Sequence, residues 1–248
     1  MTDVRLRSYK LPDSLYVKSL RPVGQDEINA NTSGRTANKG MEGLAITPDG
    51  KKLVGIIQAA LMQDAAQGGA AAKLLRIVTI DIASGYTHQY AYRLTAGSGV
   101  SEICAINNRQ FLVDERDGRG REGNDDVSSN DARVKKLFKS DLDGATDISN
   151  MDGLTAVTYA VNKTLFLDLV VTLTNNRHSG YSDSVEDRGR RIRAGRPDGK
   201  GDRAHSVGSL WVSNDNDFDL NTNDQPPVPN PNQFFVFGFT DGDLPFGN

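Results

Sequence analysis

The sequence predicts an all-β fold of the β-propeller class, with antiparallel four-stranded blades joined by long polar loops. Three observations predict it. An apolar hairpin near the N-terminus is followed by a β-branched strand and then by an aromatic-rich one. The order of acid, apolar strand, turn, apolar strand and polar exit then returns sixty residues later, from Glu42 to Glu102. That spacing is about one blade of some 40–50 residues plus a loop. Glycine, finally, supplies 25 of the 248 residues, as a chain of many turns requires.

Residues 1–37 read as an irregular polar lead-in, with a proline-interrupted strand candidate over 8–17. The first hairpin pairs strands 43–46 and 53–57 across Thr47, Pro48, Asp49 and Gly50. Proline presets φ there, and Asp-Gly tolerates tight or left-handed geometry. Gln58 and Asp64 form a polar exit, and the Gly/Ala stretch 65–72 reads as a surface loop. Strands over 74–82 and 86–94 follow, turned at Ser84 and Gly85; alternation puts Tyr86, His88, Tyr90 and Tyr92 on one face.

The second unit has strands at 102–106 and 111–113, a turn at 107–109 and a polar exit at 114–117. A Gly- and Asp-rich loop, 118–131, leads to a strand at 134–140 and a turn at 141–144. Residues 157–161 and 165–173 suit a strand pair or a short helix, and periodicity does not choose between them. Residues 176–207 read as a poorly ordered basic loop, because 188–203 has almost no apolar side chain to bury. Strands 209–213 and 233–239 can pair beyond it, around the acidic loop 214–224. The chain is read as a single domain over 1–248.

Composition excludes several classes. With 37% hydrophobic and 25% charged residues and a net charge of −3, the chain has neither the bias of a disordered protein nor that of a nucleic-acid binder. Cys104 is the one cysteine, so no internal disulfide is expected, and its apolar neighbours suggest a core position. The N-terminus lacks the apolar stretch of a signal peptide, and the longest apolar run, 165–173, is too short to be a membrane segment. The chain thus reads as cytoplasmic, or as a piece of a longer one.

Most motif matches fail on context. Gly118, Gly120 and Gly123 satisfy G-x-G-x-x-G, but no helix follows to meet a phosphate. Asp215, Asp217 and Asp219 alternate as in a calcium loop, yet Leu220 and Pro226 stand where an EF-hand needs Gly and Glu. The basic run lacks interleaved aromatics for base stacking. His88, His178 and His205 have neither zinc spacing nor a cysteine partner. No G-x-S-x-G elbow is present.

The acids at matching strand ends remain: Glu42, Glu102 and Glu115, with Asp64, Asp117, Asp215 and Asp217. Innermost propeller strands line a shared channel, so Glu42 and Glu102 are expected to converge there. Converging carboxylates repel unless a cation joins them, and hard oxygen ligands suit Ca²⁺. The plainer reading pairs each acid with an arginine such as Arg35 or Arg116.

At these residues the chain resembles the phytase-like family, "esterase-like activity of phytase". Residues 38–50, 58–64, 111–117, 209–218 and 232–239 carry the likeness. It implies a secreted or periplasmic bacterial protein, a propeller, and a small-molecule phosphate ester or other ester as substrate. It also implies that Glu42, Glu102 and Glu115 line the channel, with Asp215 and Asp217 on a neighbouring loop. Family members are longer, so this chain is expected to be a truncated, incomplete ring; arginines in 187–203 also replace an expected apolar strand. The expected function is calcium-assisted ester hydrolysis. Metal would be held by Glu42, Glu102, Glu115, Asp117, Asp215 and Asp217, with Glu42, Glu102, Glu115 and Arg116 catalytic and Arg116 clamping a phosphate oxygen. The alternatives are a non-catalytic propeller binding a ligand or protein partner, and an inactive truncated relative.

Overall fold

A computed structural model describes residues 7–95, 97–118, 133–172, 208–213, 220–221, 228–229 and 234–239. The chain divides into two units, Met1–His178 with Gly247–Asn248, and Ser179–Phe246.

The first unit holds two four-stranded antiparallel sheets, each a simple meander. One runs β1 (Met41–Ile46), β2 (Lys52–Ile57), β3 (Leu74–Asp81), β4 (Thr87–Arg93). The other runs β5 (Gly99–Ala105), β6 (Gln110–Arg116), β7 (Lys135–Asp141), β8 (Asn162–Asp168). Turn chemistry explains the first hairpins. Asp49 Oδ1 accepts from Thr47 Oγ1 at 2.7 Å and from the Lys51 amide at 3.0 Å, while Gly50 takes φ +69°. Asn107 Oδ1 does the same work between β5 and β6, accepting the amides of Arg109 and Gln110 at 3.1 and 2.8 Å.

The main core lies between the two sheets. Val54, Ile56, Leu75, Ile77 and Tyr92 from the first pack with Val100, Ile103, Phe111 and Val113 from the second. Each such side chain contributes roughly 1.5–3 kcal/mol by leaving water, so this contact dominates the unit's stability. The far face of the first sheet is covered by short elements. Leu15, from a 3₁₀ turn at Asp13–Leu15, packs with Leu61, Ile57 and Val78. Ile148 and Ala156, the latter from α3 (Gly153–Val157), pack with Leu74 and Ala91.

Beneath that cover lies a buried ion pair. Arg76 of β3, 1% exposed, meets Asp64 of α2 (Met62–Ala66), 0% exposed, through Nε–Oδ2 at 2.8 Å and Nη2–Oδ1 at 2.7 Å. Arg76 also donates to Asp152 Oδ1, the Met151 carbonyl and Gln89 Oε1 at 2.8, 2.7 and 3.1 Å. The open edge of β4 is closed by the same connection between β7 and β8. The Gln89 amide donates to Asp147 Oδ1, and the carbonyls of Gln89 and Ala91 accept the amides of Ile148 and Val161.

Several expectations are corrected here. The strand candidate over 8–17 is instead a 3₁₀ turn, because Pro12 presets its entry at φ −53°. The lead-in also contains α1 (Gly24–Asn29) with a buried Glu27. Asp64 is a buried structural anchor and not a strand-end acid of a channel. Of the two undecided stretches, 157–161 begins where α3 ends, at Val157, and β8 runs from Asn162 to Asp168 into the second. Cys104 is exposed, since it alternates with the core-facing Ile103 and so lies on the other face of β5.

In the second unit, β9 (Gly208–Ser213) pairs antiparallel with β12 (Phe234–Phe239), as expected for those apolar runs. β10 (Leu220–Asn221) pairs with β11 (Val228–Pro229).

Candidate active site

The polar residues collect where the sheets' first strands run side by side. Along β1, Gly43 to Ile46 oppose Ile56 to Leu53, and the pairing slips at Glu42 before Met41 meets Ile57. β5 shows the same slip, but at Ser101, between Glu102 opposite Asp114 and Val100 opposite Glu115. The bulges mark corresponding places, so the counterpart of Glu42 is Ser101, fifty-nine residues on. Glu102 occupies the place that Gly43 holds in the first sheet. Side chains alternate along a strand, so a single residue decides which face is served. The sixty-residue offset therefore aligned two glutamates that stand at different steps of their strands.

Their two strands nevertheless touch, at Gly43. A Cβ on Gly43 would lie 2.4 Å from the Ile103 nitrogen and 2.7 Å from Glu102 Oε1. Only glycine admits this approach of β1 to β5. Glu102 Oε1 also accepts its neighbour's amide, from Ile103, at 2.9 Å. Glu42 lies on a groove it shares with Arg21, Glu27, Arg35 and Asn38. Arg35 is engaged there by Glu27 at 2.7 Å. Arg116 reaches across, its Nε donating to Ser101 Oγ at 2.9 Å.

Asp114 was not among the sequence candidates. It sits on β6 directly opposite Glu102 and on the same face as Arg116. Among the described residues its Oδ1 is buried without a hydrogen-bond partner. Burial pushes this carboxyl up to about 6, against the pull of Lys135 and Arg116 and with a further push from Glu102. The signal was legible in principle: an acid closing a run of three buried apolar residues, Phe111 to Val113, inside a strand.

The other predicted residues have different occupations. Glu115 is 0% exposed and faces the core, where Oε1 accepts from Tyr92 and Lys163, and Oε2 from the Thr95 amide at 3.0 Å. Lys163 Nζ lies 4.3 Å from the ring centroids of both Tyr92 and Phe138. Asp117 braces the approach to β7, accepting the amides of Arg133 and Val134 at 2.8 and 3.0 Å and pairing with Lys135 at 3.2 Å. Asp215 and Asp217 lie outside the described residues.

Calcium takes six to eight oxygens. Among the described residues, no three of His, Cys, Asp and Glu gather closely enough to hold a metal ion. Glu115 and Asp117 spend their oxygens on protein donors, so the described carboxylates do not form that shell.

Compared with known proteins, residues 4–218 match the phytase-like family described as esterase-like activity of phytase. The chain belongs to that family. The match takes in both sheets and the whole polar edge, including Glu42, Glu102, Asp114 and Arg116. An uncharacterized secreted protein of the fungus Arthroderma benhamiae is 32% identical over 113 residues, covering 39% of this chain and 22% of that protein. The chain thus spans under a quarter of the length of that relative. No solved structure gives a significant match. Among the described residues, no helix is long and apolar enough to cross a membrane.

Proposed function

We propose that this chain is an extracytoplasmic ester hydrolase, built as consecutive blades of a β-propeller, with its centre on the β1–β5 edge. Family membership supports the hydrolytic class. The observation that carries the reading is Asp114, a half-buried residue whose Oδ1 is itself buried and, among the described residues, without a hydrogen-bond partner, opposite the exposed Glu102 and beside Arg116. A carboxyl titrating near 6 both holds and releases a proton at working pH, as general acid–base catalysis requires. In this mechanism Glu102 takes the proton of an attacking water while Asp114 gives one to the departing oxygen. Arg116 neutralises an anionic group of the substrate, for which phosphate esters are the first choice. Glu42 shapes the neighbouring wall, and Glu115 supports the edge from inside through Lys163. No step here is routed through calcium.

The test is release of p-nitrophenol from p-nitrophenyl phosphate and p-nitrophenyl acetate. Asp114→Asn should lower kcat at least a hundredfold, the usual contribution of one positioned acid. It should also remove the limb of the pH–rate profile near 6. Turnover within tenfold of wild type, or an unchanged profile, refutes the assignment. A non-catalytic binding module is the second reading, favoured by the fact that Glu115 and Asp117 are already paired within the protein. Saturable binding of either ester without turnover would select it.

A further inference from the structure

The exit of β2 and the entry of β5 meet at Gln58, a residue the mechanism above does not use. Its amide donates to the Gly40 carbonyl at 2.8 Å, which fixes it beside the start of β1. A Cβ on Gly99 would lie 2.9 Å from its carbonyl oxygen, so the backbones of the two sheets leave no slack at this point. With the side-chain amide oriented to satisfy both ends, Nε2 donates to Glu42 Oε1 at 3.3 Å and to the Asn38 carbonyl at 3.2 Å. Oε1 then accepts from Arg116 Nη2 at 2.6 Å. Arg116 is thereby held twice, by Gln58 from the first sheet and by Ser101 from its own.

We infer that Gln58 is a positioning residue that couples Glu42 to Arg116 and holds the guanidinium ready for an anionic group of the substrate. This rests on the hydrolase reading. An arginine left to itself loses rotamer freedom when a ligand fixes it. An arginine held beforehand spares the ligand that cost, so the effect belongs in binding rather than in the chemical step. The amide suits the task because it donates and accepts at once. A carboxylate here would repel Glu42, and an ammonium would repel Arg116.

Gln58→Met tests the inference, since methionine keeps the volume and loses all three side-chain hydrogen bonds. With the full chain and p-nitrophenyl phosphate, KM should rise about tenfold while kcat stays within about threefold. Made in an Arg116→Ala background, the same substitution should change KM less than about twofold, because nothing remains to be positioned. An unchanged KM in the single variant, or an equal rise in both backgrounds, overturns the inference. A second readout needs no turnover. The effects of Gln58→Met and Arg116→Ala on the unfolding constant in urea should fail to multiply by about fivefold. Factors that multiply within about twofold overturn the coupling. A wild-type chain that hydrolyses neither ester yet shows the fivefold departure refutes the hydrolase reading and leaves the coupling standing.

Discussion

Removing Asp64 should unsettle the unit more than removing any exposed acid. Its carboxylate receives both forks of Arg76, at 2.8 and 2.7 Å, and also the Gly153 amide at 2.9 Å. In Asp64→Ala the guanidinium stays buried, with the 39% exposed Asp152 side chain as its one remaining charged partner among the described residues, and the Gly153 amide loses its acceptor. Breaking a buried pair from one side costs about 3–5 kcal/mol, against a total of about 5–15 kcal/mol for a typical domain. The variant should therefore lose about a fifth of its stability or more. Urea unfolding followed by circular dichroism reads this as a lower midpoint with an unchanged m value. The pair also makes a second, sharper claim. Replacing both partners with apolar side chains, Asp64→Leu with Arg76→Met, should cost less than either single change, because no unpaired charge remains. A loss below about 1 kcal/mol for Asp64→Ala, or a double variant costing the sum of the singles, would refute the reasoning.

Other outcomes follow from the same kind of accounting. Asp114→Asn should stabilise the protein at pH 8 by up to about 3 kcal/mol, since a carboxyl moved from 3.8 to about 6 ionises at a cost. That gain should vanish below about pH 4, and a thermal melt at both pH values checks it. Lys163→Met takes the cation away from the buried Glu115 and should cost about 3 kcal/mol or more, whereas Glu115→Gln with Lys163→Met recovers part of it in the same urea assay. Gly43→Ala forces β1 away from the Ile103 backbone and should cost about 1–3 kcal/mol; a melting temperature equal to wild type would count against the close approach. Asp147 is held down to about 2, because hydrogen bonds from Ser149, His88 and the Gln89 amide outweigh the burial that pushes it up. Its contribution is complete above 3.8 and lost as the pH falls through about 2, so the Tm gap to Asp147→Asn should close over that window.

The hairpins were legible because their signals are local. Pro48, Gly50 and Asn107 dictate turns whatever surrounds them, and β-branched runs such as 74–82 prefer a pleated, half-buried surface. The site was legible only in part. Glu102 and Arg116 do share one edge, but the equivalence of Glu42 and Glu102 was set by counting residues, and a bulge displaces that count by one. Nothing in a sequence announces which residue a bulge will absorb. The core position of Glu115 was not legible for a different reason: its partners, Tyr92 and Lys163, lie 23 and 48 residues away and meet it only after the sheets close. Asp64 was misjudged likewise, since the arginine that draws it inward stands on another strand. Asp114 reads from sequence only as the first residue of the polar exit 114–117, because its place opposite Glu102 and the burial of its Oδ1 are set by the strand pairing.

The capped rim of β4 has a consequence for how this protein behaves when crowded. A foreign strand arriving there finds the Gln89 amide and the carbonyls of Gln89 and Ala91 already taken by the chain's own connection. The usual seed of edge-to-edge aggregation is therefore absent along this stretch without a charge or a proline placed on the strand itself. Because Asp147 does part of the sealing with a side chain held by His88, loosening that one carboxylate would turn a finished rim into a sticky one.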